Sequence, residues 1–481
     1  MNDNYEVVIG LEIHAQLLTK SKAFSSDSTN FGDFPNTNTS PTSLGHPGTL
    51  PTINERMVKF AIKAGLATNC TIREVSLFSR KNYFYHDLPK GYQITQYEDP
   101  ICYDGYINIE REDGTLKKIG ITRIHIEEDT GKSIYDDCGD ILLDFNRAGL
   151  PLIEIVSEPD LRSASEAYQY LMQFRQILMY LWICSGIMED GALRCDVNVS
   201  IRLKGDTKLG TKTEIKNLNS FRNIEKAIDY EVERQIKQIE NGEKIIQETR
   251  LWDENQKITR VMRSKEEVND YRYFPEPDLP PLKIPVQWLD ELRNEIPELP
   301  LEKKSRLMNE YHIPAYDAEI FIQDRDLADY YEKCCSYLLV KDEQRFKLVS
   351  NWVMNDVLRY LSDNHLSASQ LVLKPEYLAQ MIELVANDDI SNTIAKAIFP
   401  EIAKGIPPKE VIAKKGLSQD FDTQILEELV KIVLADHRDS VEKYKSGRTH
   451  IMSFFVSELM KETEGKANPK MINELLMKYL L

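Results

Sequence analysis

Residues 7 to 17, VVIGLEIHAQL, alternate between two kinds of side chain. Apolar residues take every odd position from Val7 to Leu17, while Glu12 and His14 stand at even positions. Because successive side chains of a strand point to opposite faces, this period of two predicts a β-strand with one face in the core. The other face of the same strand then carries a carboxylate and an imidazole two residues apart.

Four further segments show this pattern with Asp, Glu or His on one face: LRCDVNVSIRL, LPLIEIVSEP, TKTEIKNL and GITRIHIEEDTGK. For any one strand, the solvated face of an antiparallel sheet is the leading interpretation. Five strands rich in carboxylates and poor in cations instead indicate a cleft around a divalent ion, since clustered carboxylates repel one another. Oxygen-rich ligation favours Mg²⁺ or Mn²⁺ over zinc. The candidate ligands are Glu12, His14, Glu127, Glu128, Glu154, Asp196 and Glu214.

The segment RKNYFYHDLPKGYQITQ, residues 80 to 96, combines cations with aromatic rings. Lys81 and Lys90 enclose Tyr83, Phe84 and Tyr85. Two interpretations remain open. The segment fits a nucleotide site in which a base stacks on a ring and a phosphate meets a lysine. It also fits a strand with an aromatic core face and cations that extend to the surface.

The chain changes character twice along its length. Up to about residue 285 it is strand-rich, and two helices are predicted to begin at a capping box, SASE (163–166), and near Ser220. The five prolines of YRYFPEPDLPPLKIP (271–285) predict a stiff inter-domain connection. Helical patterns follow, with a second break at KGIPP (404–408). We therefore expect an α+β domain, a helical domain and a small helical tail.

The charge and the cysteines restrict the function classes. A net charge of −17 argues against a surface that coats nucleic acid or anionic membranes. Residues 409 to 478 carry 12 Lys and Arg against 12 Asp and Glu, so a polyanion would meet least repulsion there. Seven cysteines without a CxxC spacing indicate reduced core thiols. With no signal-peptide pattern and no long apolar run, we expect a cytoplasmic protein.

Eight long segments carry a resemblance to a known family: VIGLEIHAQL, PGTLPTIN, RKNYFYHDLPKGYQITQ, IHIEEDTGK, NRAGLPLIEIVSEPDLRS, LRCDVNVSIR, TEIKNLNSF and DYRYFPEPDLPP. In this order they resemble the B subunit of the heterotrimeric glutamyl-tRNA(Gln)/aspartyl-tRNA(Asn) amidotransferase, in its bacterial or organellar form. The resemblance implies a glutamine-synthetase-like, β-rich cradle domain over residues 1–292. It also implies an all-α helical domain over 293–405 and a YqeY-like, tRNA-binding tail over 406–481.

The resemblance implies a reaction as well. The family uses ATP to phosphorylate the side-chain carboxylate of Glu-tRNA(Gln), Asp-tRNA(Asn) or both, and ammonia then forms the amide. This is a carbon–nitrogen ligase with glutamine as the amido donor, with Mg²⁺ as its metal and Mn²⁺ as a substitute. The ammonia comes from a glutaminase, the A subunit, within a heterotrimer that the C subunit completes, and no membrane is involved. The absence of GxSxG and of glycine-flanked paired serines here agrees with that division of labour.

Position by position, the family's metal-binding and active-site acids fall on the seven candidate ligands named above. The resemblance makes Lys81, Lys90 and Arg194 candidates for binding the nucleotide phosphates, although Arg147 and Arg194 are also suited to pinning strand ends by ion pairs. His86, where proline is common in the family, is expected at the surface. The catalytic candidates are Glu12, His14, Lys81, Tyr83, Lys90, Glu127 and Glu128.

Two other functions compete with this one. A stand-alone ATP-dependent carboxylate–amine ligase would use the same chemistry on a free amino acid, but it has no need of the helical tail. A scaffold that only presents tRNA would need the tail but none of the acidic residues. Amidation of free glutamate by the chain alone would support the first alternative, and activity that survives loss of the acids would support the second.

Overall fold

The computed structural model describes residues 4–136, 138–264, 270–415, 417, 423–446, 448, 451–463, 467 and 469–480. The chain divides into two compact units, Met1–Pro300 and Leu301–Leu481. Within the described residues, all strands lie in the first unit. This mixture of a large sheet with many helices agrees with the α+β class that was expected from the sequence.

Nine of the strands form one sheet in the order β14-β13-β12-β11-β1-β10-β7-β6-β2. Neighbouring strands are antiparallel, except that β12 and β13 are parallel. The strands are β1 (Tyr5–Gln16), β2 (Thr71–Ile72), β3 (Val75–Ser76), β4 (Ser79–Asn82), β5 (Tyr92–Thr95), β6 (Cys102–Glu110), β7 (Leu116–Glu128), β8 (Lys132–Tyr135), β9 (Ile141–Asp144), β10 (Pro151–Ser157), β11 (Leu193–Leu203), β12 (Thr213–Lys216), β13 (Glu248–Asp253), β14 (Ile258–Ser264), β15 (Phe274–Pro275) and β16 (Leu282–Lys283).

The central strand β1 has one buried face, as its alternation predicted. Ile9, Leu11 and Ile13 are almost fully buried, whereas Glu12 and His14 are only partly covered. The apolar row packs in one core with residues of four helices, so the opposite face remains available for polar side chains. These helices are α1 (Glu55–Ala67), α2 (Ala164–Tyr180), α3 (Phe221–Glu240) and α4 (Val286–Asn294).

The two predicted helix starts are confirmed, but only half of the capping box forms. Ser163 Oγ accepts a hydrogen bond from the backbone N–H of Glu166 at 3.1 Å and so caps α2. The Glu166 carboxylate accepts from the backbone N–H of Arg162, one residue before the cap, and pairs with Lys117. Ser220 caps α3 in the expected way, through the backbone N–H of Asn223.

The proline-rich segment 271–285 is not the inter-domain connection that its composition predicted. Its strand β15 pairs with β4, its strand β16 pairs with β3, and the whole segment lies inside the first unit. Arg80 of β4 anchors it through ion pairs of 2.7 Å with Glu276 and 3.1 Å with Asp278. The prolines fit because each of these strands is two residues long and lies at the edge of a small sheet.

The second unit is helical throughout its described residues and contains two separate apolar clusters. One cluster extends from Leu307 to Val411, and the other, from Leu426 to Leu480, is built by α13, α15 and α16. None of the described helices is long and apolar enough to cross a membrane. The helices are α5 (Pro300–Tyr311), α6 (Ala315–Phe321), α7 (Arg325–Ser336), α8 (Glu343–Trp352), α9 (Leu358–Asp363), α10 (Pro375–Ala386), α11 (Asn392–Ile402), α12 (Pro408–Lys415), α13 (Thr423–Asp436), α14 (Arg438–Lys445), α15 (Met452–Glu462) and α16 (Pro469–Leu480), with a π-helical turn at Val353–Val357 and a 3₁₀ turn at Ala368–Gln370.

Candidate active site

Strand pairing brings side chains from several strands together on the polar face of β1. Glu12 lies opposite Asp196 of β11, and His14 lies opposite Glu154 of β10. Glu154 in turn lies opposite His125 of β7. Because directly opposed residues of antiparallel strands share a face, the register alone gathers these groups into one site.

The first acidic cluster consists of His14, Glu127 and Glu154, whose potential ligand atoms all lie within 4.8 Å of one another. His14 Nε2 is 3.2 Å from Glu154 Oε2, and His125 Nε2 is 3.6 Å from the same oxygen. Lys81 Nζ lies 3.6 Å from Glu127 Oε2. The two carboxylates are therefore surrounded by an amine and two imidazoles.

The second acidic cluster consists of Glu12, Asp196 and Glu214, again with ligand atoms within 4.8 Å of one another. Lys216 forms an ion pair with Asp196 and lies 3.0 Å from Glu214 Oε1. Asn198 donates a hydrogen bond of 3.0 Å from Nδ2 to Glu12 Oε1. One lysine thus faces three carboxylates, which leaves this cluster with excess negative charge.

The pKa shifts differ between the two clusters. Burial raises the pKa of Glu12, and the nearby carboxylates of Glu154, Glu214 and Asp196 raise it further. Burial acts in the same direction on Glu154, but the two imidazoles outweigh it and hold the pKa of that carboxyl well below its usual range. The Glu154 carboxylate of the first cluster therefore stays ionised without a metal ion. In the second cluster, by contrast, the ionised form of Glu12 is disfavoured.

The hairpin of β4 and β5 delivers two predicted residues to the first cluster. Burial acts to lower the pKa of Lys81, but the charge of Glu127 outweighs it and raises the pKa, so the amine stays protonated. Tyr83 donates from its hydroxyl to Gln93 Oε1 at 2.6 Å, and burial raises the pKa of its phenol. Gln93 in turn donates from Nε2 to the backbone carbonyl of Glu128 at 2.8 Å.

Glu128 and Lys90 lie apart from both clusters. The Glu128 carboxylate pairs with Lys90 and accepts from the backbone N–H of Ile94 at 2.8 Å. Both side chains line a cavity of about 70 Å³ together with Lys22, which is only 1% exposed. Burial lowers the pKa of Lys22 to about 8. The structure thus gathers six of the seven candidate ligands and leaves Glu128 in a different environment.

Arg194 and Arg147 meet at Asp129. Arg194 Nη2 donates to Asp129 Oδ2 at 2.8 Å, and Arg147 Nε lies 3.7 Å from the same oxygen. Arg147 also donates to the backbone carbonyl of Gly131, which agrees with the interpretation that it pins a strand end. Arg194 differs because its Nε is buried and has no hydrogen-bond partner among the described residues, while its strand position is opposite His14.

The loop of the β4–β5 hairpin does not have the aromatic core face that was the alternative interpretation. Phe84 is 88% exposed, and Tyr85 is exposed as well. Tyr85 stacks on His86 with ring centroids 4.4 Å apart, and His86 lies at the surface as expected. Of the three aromatic residues in this loop, only Tyr83 is directed to the site.

Sequence reasoning missed four functional candidates. His125 and Asp129 share a strand face with Glu127, so their alternation was a usable signal for both. Lys216 stands two residues after Glu214, and the same rule of two would have placed it beside the second cluster. For Lys22 no local pattern gives a signal, since its burial depends on contacts with residues about 100 positions away.

Both acidic clusters fit a hard divalent cation such as Mg²⁺. One offers three carboxylates, and the other offers two carboxylates and an imidazole, which are ligand sets that Mg²⁺ and Mn²⁺ accept. Ligand atoms around an octahedral Mg²⁺ lie about 3 to 4 Å apart, since each is about 2.1 Å from the ion. The observed limit of 4.8 Å therefore requires only small side-chain movements for binding.

Comparisons with known proteins agree on one family. A family model described as the GatB/GatE catalytic domain matches residues 7–290, and one described as the GatB domain matches residues 330–480. The chain is 50% identical over 477 residues to a protein of Thermodesulfovibrio yellowstonii and 50% identical over 481 residues to one of Geotalea daltonii. Each alignment covers 99% of both chains, and both relatives are named as the B subunit of aspartyl/glutamyl-tRNA(Asn/Gln) amidotransferase.

Proposed function

The chain belongs to the GatB/GatE family, among the aspartyl/glutamyl-tRNA(Asn/Gln) amidotransferase B subunits, and from this premise we propose its reaction. The protein uses ATP to phosphorylate the side-chain carboxylate of Glu on tRNA(Gln), of Asp on tRNA(Asn), or of both. Ammonia then displaces the phosphate and leaves the amide. The enzyme is therefore a tRNA-dependent, glutamine-dependent carbon–nitrogen ligase.

The observation that carries this proposal is the pair of acidic clusters side by side on β1. The reaction must bring an anionic carboxylate to the anionic triphosphate of ATP, so it needs positive charge on both sides of the transferred phosphoryl group. Two divalent cations, one in each cluster, would provide that charge together with Lys81. A scaffold that only presents tRNA has no use for such an arrangement.

His14, Glu127 and Glu154 would hold one cation, and Glu12, Asp196 and Glu214 the other. When bound, Mg²⁺ would neutralise phosphate oxygens as a Lewis acid, and Mn²⁺ would serve as a substitute. No metal is assigned to Glu128, because it belongs to neither cluster and its Oε1 already accepts from Lys90 and from the Ile94 N–H.

The remaining residues have binding and positioning roles. Lys81 remains a cation and can hold an oxygen of the phosphate or of the substrate carboxylate. Arg194 has a buried Nε that can donate to a substrate oxygen. His125 is a positioning residue, with Nε2 3.6 Å from Glu154 Oε2, and Tyr83 fixes Gln93, which lies 3.4 Å from Glu127. Lys90 would contribute its positive charge from the wall of the neighbouring cavity, where it pairs with Glu128.

An exposed apolar surface supports assembly with partner proteins. Phe34, Phe84, Tyr135, Ile141 and Leu142 are between 45% and 88% exposed. They are neighbours: β8 pairs with β9, the segment that carries Phe34 is hydrogen-bonded to the end of β9, and the hairpin loop lies beside β8. Surfaces of this kind mark protein interfaces. We assign this surface, the apolar face, to contact with the glutaminase (the A subunit) of a heterotrimer that also contains the C subunit.

The chain is proposed to contain three functional parts. Residues 1–292 form the catalytic cradle, residues 293–405 the helical domain and residues 406–481 the tRNA-binding tail. Two observations support a separate tail. The cluster from Leu426 to Leu480 is distinct from the preceding helical core, and the tail is neutral whereas the rest of the chain is acidic.

One assay tests this function directly. The chain is assembled with the A and C subunits, Glu-tRNA(Gln) or Asp-tRNA(Asn) is supplied with ATP, Mg²⁺ and glutamine, and the amidated product is measured. We expect amidation by the wild type and near-complete loss with Glu154→Gln, while tRNA binding persists. Full amidation by Glu154→Gln would instead favour the scaffold. Glutamine formed from free glutamate and ammonia by the chain alone would favour the stand-alone ligase.

A further inference from the structure

Thr249 of β13 lies beside the second acidic cluster but is not one of its three acids. In the parallel pair of β12 and β13 it stands directly opposite Glu214. Its hydroxyl donates a hydrogen bond of 2.7 Å to Glu214 Oε2. Thr249 is only 8% exposed, whereas Leu251, two residues along the same strand face, is 36% exposed. A neutral and well-covered hydroxyl therefore fixes one oxygen of a candidate metal ligand.

The two oxygens of the Glu214 carboxylate have different partners. Oε1 lies 3.0 Å from Lys216 Nζ, an amine that also pairs with Asp196. A divalent cation in the cluster repels this ammonium group, so the Lys216 contact competes with metal binding. The bond from Thr249 does not compete, because a hydroxyl carries no net charge and holds the other oxygen, Oε2. It can therefore persist with a cation in the cluster and keep the carboxylate oriented.

A buried network holds β13 in the position that this bond requires. The Glu231 carboxylate of α3 is fully buried and accepts two hydrogen bonds from Arg234 and one of 3.0 Å from the Thr259 hydroxyl. Arg250, the residue after Thr249, donates to the hydroxyl and to the backbone carbonyl of Thr259, each at 2.8 Å. Successive side chains of a strand point to opposite faces, so this network anchors β13 from the face opposite Thr249. Buried polar groups that are hydrogen-bonded in this way make the surrounding structure rigid.

The sheet is also irregular at this residue. The register of β13 against β14 shifts between Thr249 and Arg250, which indicates a β-bulge. Bulges redirect side chains and are common next to active sites. The irregularity is independent of the hydrogen bond, and it distinguishes Thr249 from the rest of its strand.

We propose that Thr249 is a positioning residue for the cation of the second acidic cluster and that it acts through Glu214. The inference rests on the proposed function, which assigns a cation to Glu12, Asp196 and Glu214. The hydroxyl holds the Glu214 carboxylate in one orientation before the cation binds, so less conformational entropy is lost on binding. Loss of such an outer bond to a metal ligand typically weakens metal binding by about ten- to a hundredfold.

The test removes the hydroxyl and keeps the shape of the side chain. Thr249→Val is nearly isosteric and suits a strand, and Thr249→Ser restores a hydroxyl without the methyl group. Both are made in the assembled complex that carries Glu154→Gln, in which the second acidic cluster is intact and the first is not. The Mn²⁺ affinity, measured by electron paramagnetic resonance, should fall about tenfold or more with Thr249→Val. With Thr249→Ser it should stay within about threefold of the parent complex.

Two comparisons separate positioning from a general loss of stability. Thr213→Val is the matched control on β12, because the Thr213 hydroxyl accepts a 3.3 Å bond from Gln235 on the strand face opposite Glu214. It should leave the Mn²⁺ affinity unchanged. With Glu154 intact, Thr249→Val should raise the Mg²⁺ concentration that gives half-maximal amidation, and saturating Mg²⁺ should restore the wild-type kcat.

The possible results distinguish this inference from the proposed function. Equal Mn²⁺ affinity in the parent complex and in Thr249→Val overturns the inference and leaves the proposed function intact. An equal loss with Thr213→Val, or no rescue by Thr249→Ser, also overturns it, because the hydroxyl would then act only through the stability of the sheet. A Glu154→Gln complex without any Mn²⁺ site overturns it as well, since the second cluster would hold no cation. If the wild-type complex neither binds Mn²⁺ nor forms the amide, the proposed function fails together with this inference.

Discussion

Glu12 and His14 are separated by one residue on β1, yet each belongs to a different cluster of three metal-ligand side chains. Both point to the same face, and two residues of a strand span about 7 Å. Metal ions that share ligands in two-metal sites are about 4 Å apart. The spacing on β1 therefore favours two sites that hold their ions independently. A single strand positions both sites, because a shift of its pairing register by one residue would turn both side chains into the core.

This independence can be measured by metal binding. Glu214→Gln should remove one Mn²⁺ site and leave the other, and Glu154→Gln should do the converse, because the two clusters share no ligand residue. Mn²⁺ electron paramagnetic resonance on each variant counts the remaining sites. Glu158→Gln, just beyond the end of β10, is the control, since the Glu158 carboxylate accepts a hydrogen bond from the Thr122 hydroxyl and belongs to neither cluster. Loss of both sites in one variant would contradict independent binding.

Lys81 should contribute to the chemical step. Its charge faces Glu127 at 3.6 Å, and its raised pKa keeps the amine protonated at neutral pH. Lys81→Met should lower kcat for amidation by about a hundredfold, the loss typical for a charge that stabilises a transition state, with little change in KM for aminoacyl-tRNA. Lys118→Met, a lysine placed over the ring of Tyr106, is the control and should leave kcat unchanged. An unaltered kcat in Lys81→Met would refute this role.

The polar face of β1 follows from the sequence, because a period of two needs only neighbouring residues. The division into two clusters does not follow, since it depends on strand pairing. Glu12 meets Asp196 because β1 pairs with β11, although the two residues are more than 180 positions apart in the sequence. The ion pair of Glu128 with Lys90 is also non-local, since it joins residues 38 positions apart. The proline-rich segment was misjudged because composition does not reveal that Arg80 binds it into the first unit.

Lys22 should make stability depend on pH. Its pKa is lowered from 10.5 to about 8 by burial, so above about pH 8 the unfolded chain binds more protons than the folded chain. The cost of burying the charge is complete below pH 8 and declines as the pH rises to 10.5. Lys22→Met should therefore gain stability relative to wild type at pH 7, by at most about 3 kcal/mol, and lose that gain at high pH.

Melting temperatures of the two proteins between pH 7 and 10.5 check this prediction. Lys20→Met, at an exposed position two residues away, is the control for the loss of a lysine in this segment. A constant difference for Lys22→Met would mean that the buried amine does not titrate in this range.

The apolar face should control assembly rather than folding. Leu142 is 55% exposed at the β8–β9 hairpin, so Leu142→Asp removes no core contact of the isolated chain. We expect the variant to keep its melting temperature and to bind the glutaminase at least about tenfold more weakly, because a buried unpaired carboxylate is costly at an interface. Leu116→Asp, exposed on β7, is the control. Normal assembly of Leu142→Asp by analytical ultracentrifugation would place the interface elsewhere.

Removal of the tail should impair tRNA use and spare the catalytic unit. The larger helical cluster includes Val411 and contacts Leu417, whereas the tail cluster begins at Leu426. A truncation after residue 422 therefore keeps the first cluster intact, while one after residue 407 would strip Val411 from it. We expect the chain of 422 residues to bind Mg·ADP and to support glutaminase activity as the full chain does. Its KM for aminoacyl-tRNA should rise about tenfold or more, because the removed residues carry no net charge and so repel RNA less than the acidic remainder of the chain does. An unchanged KM in steady-state assays would show that tRNA is bound without the tail.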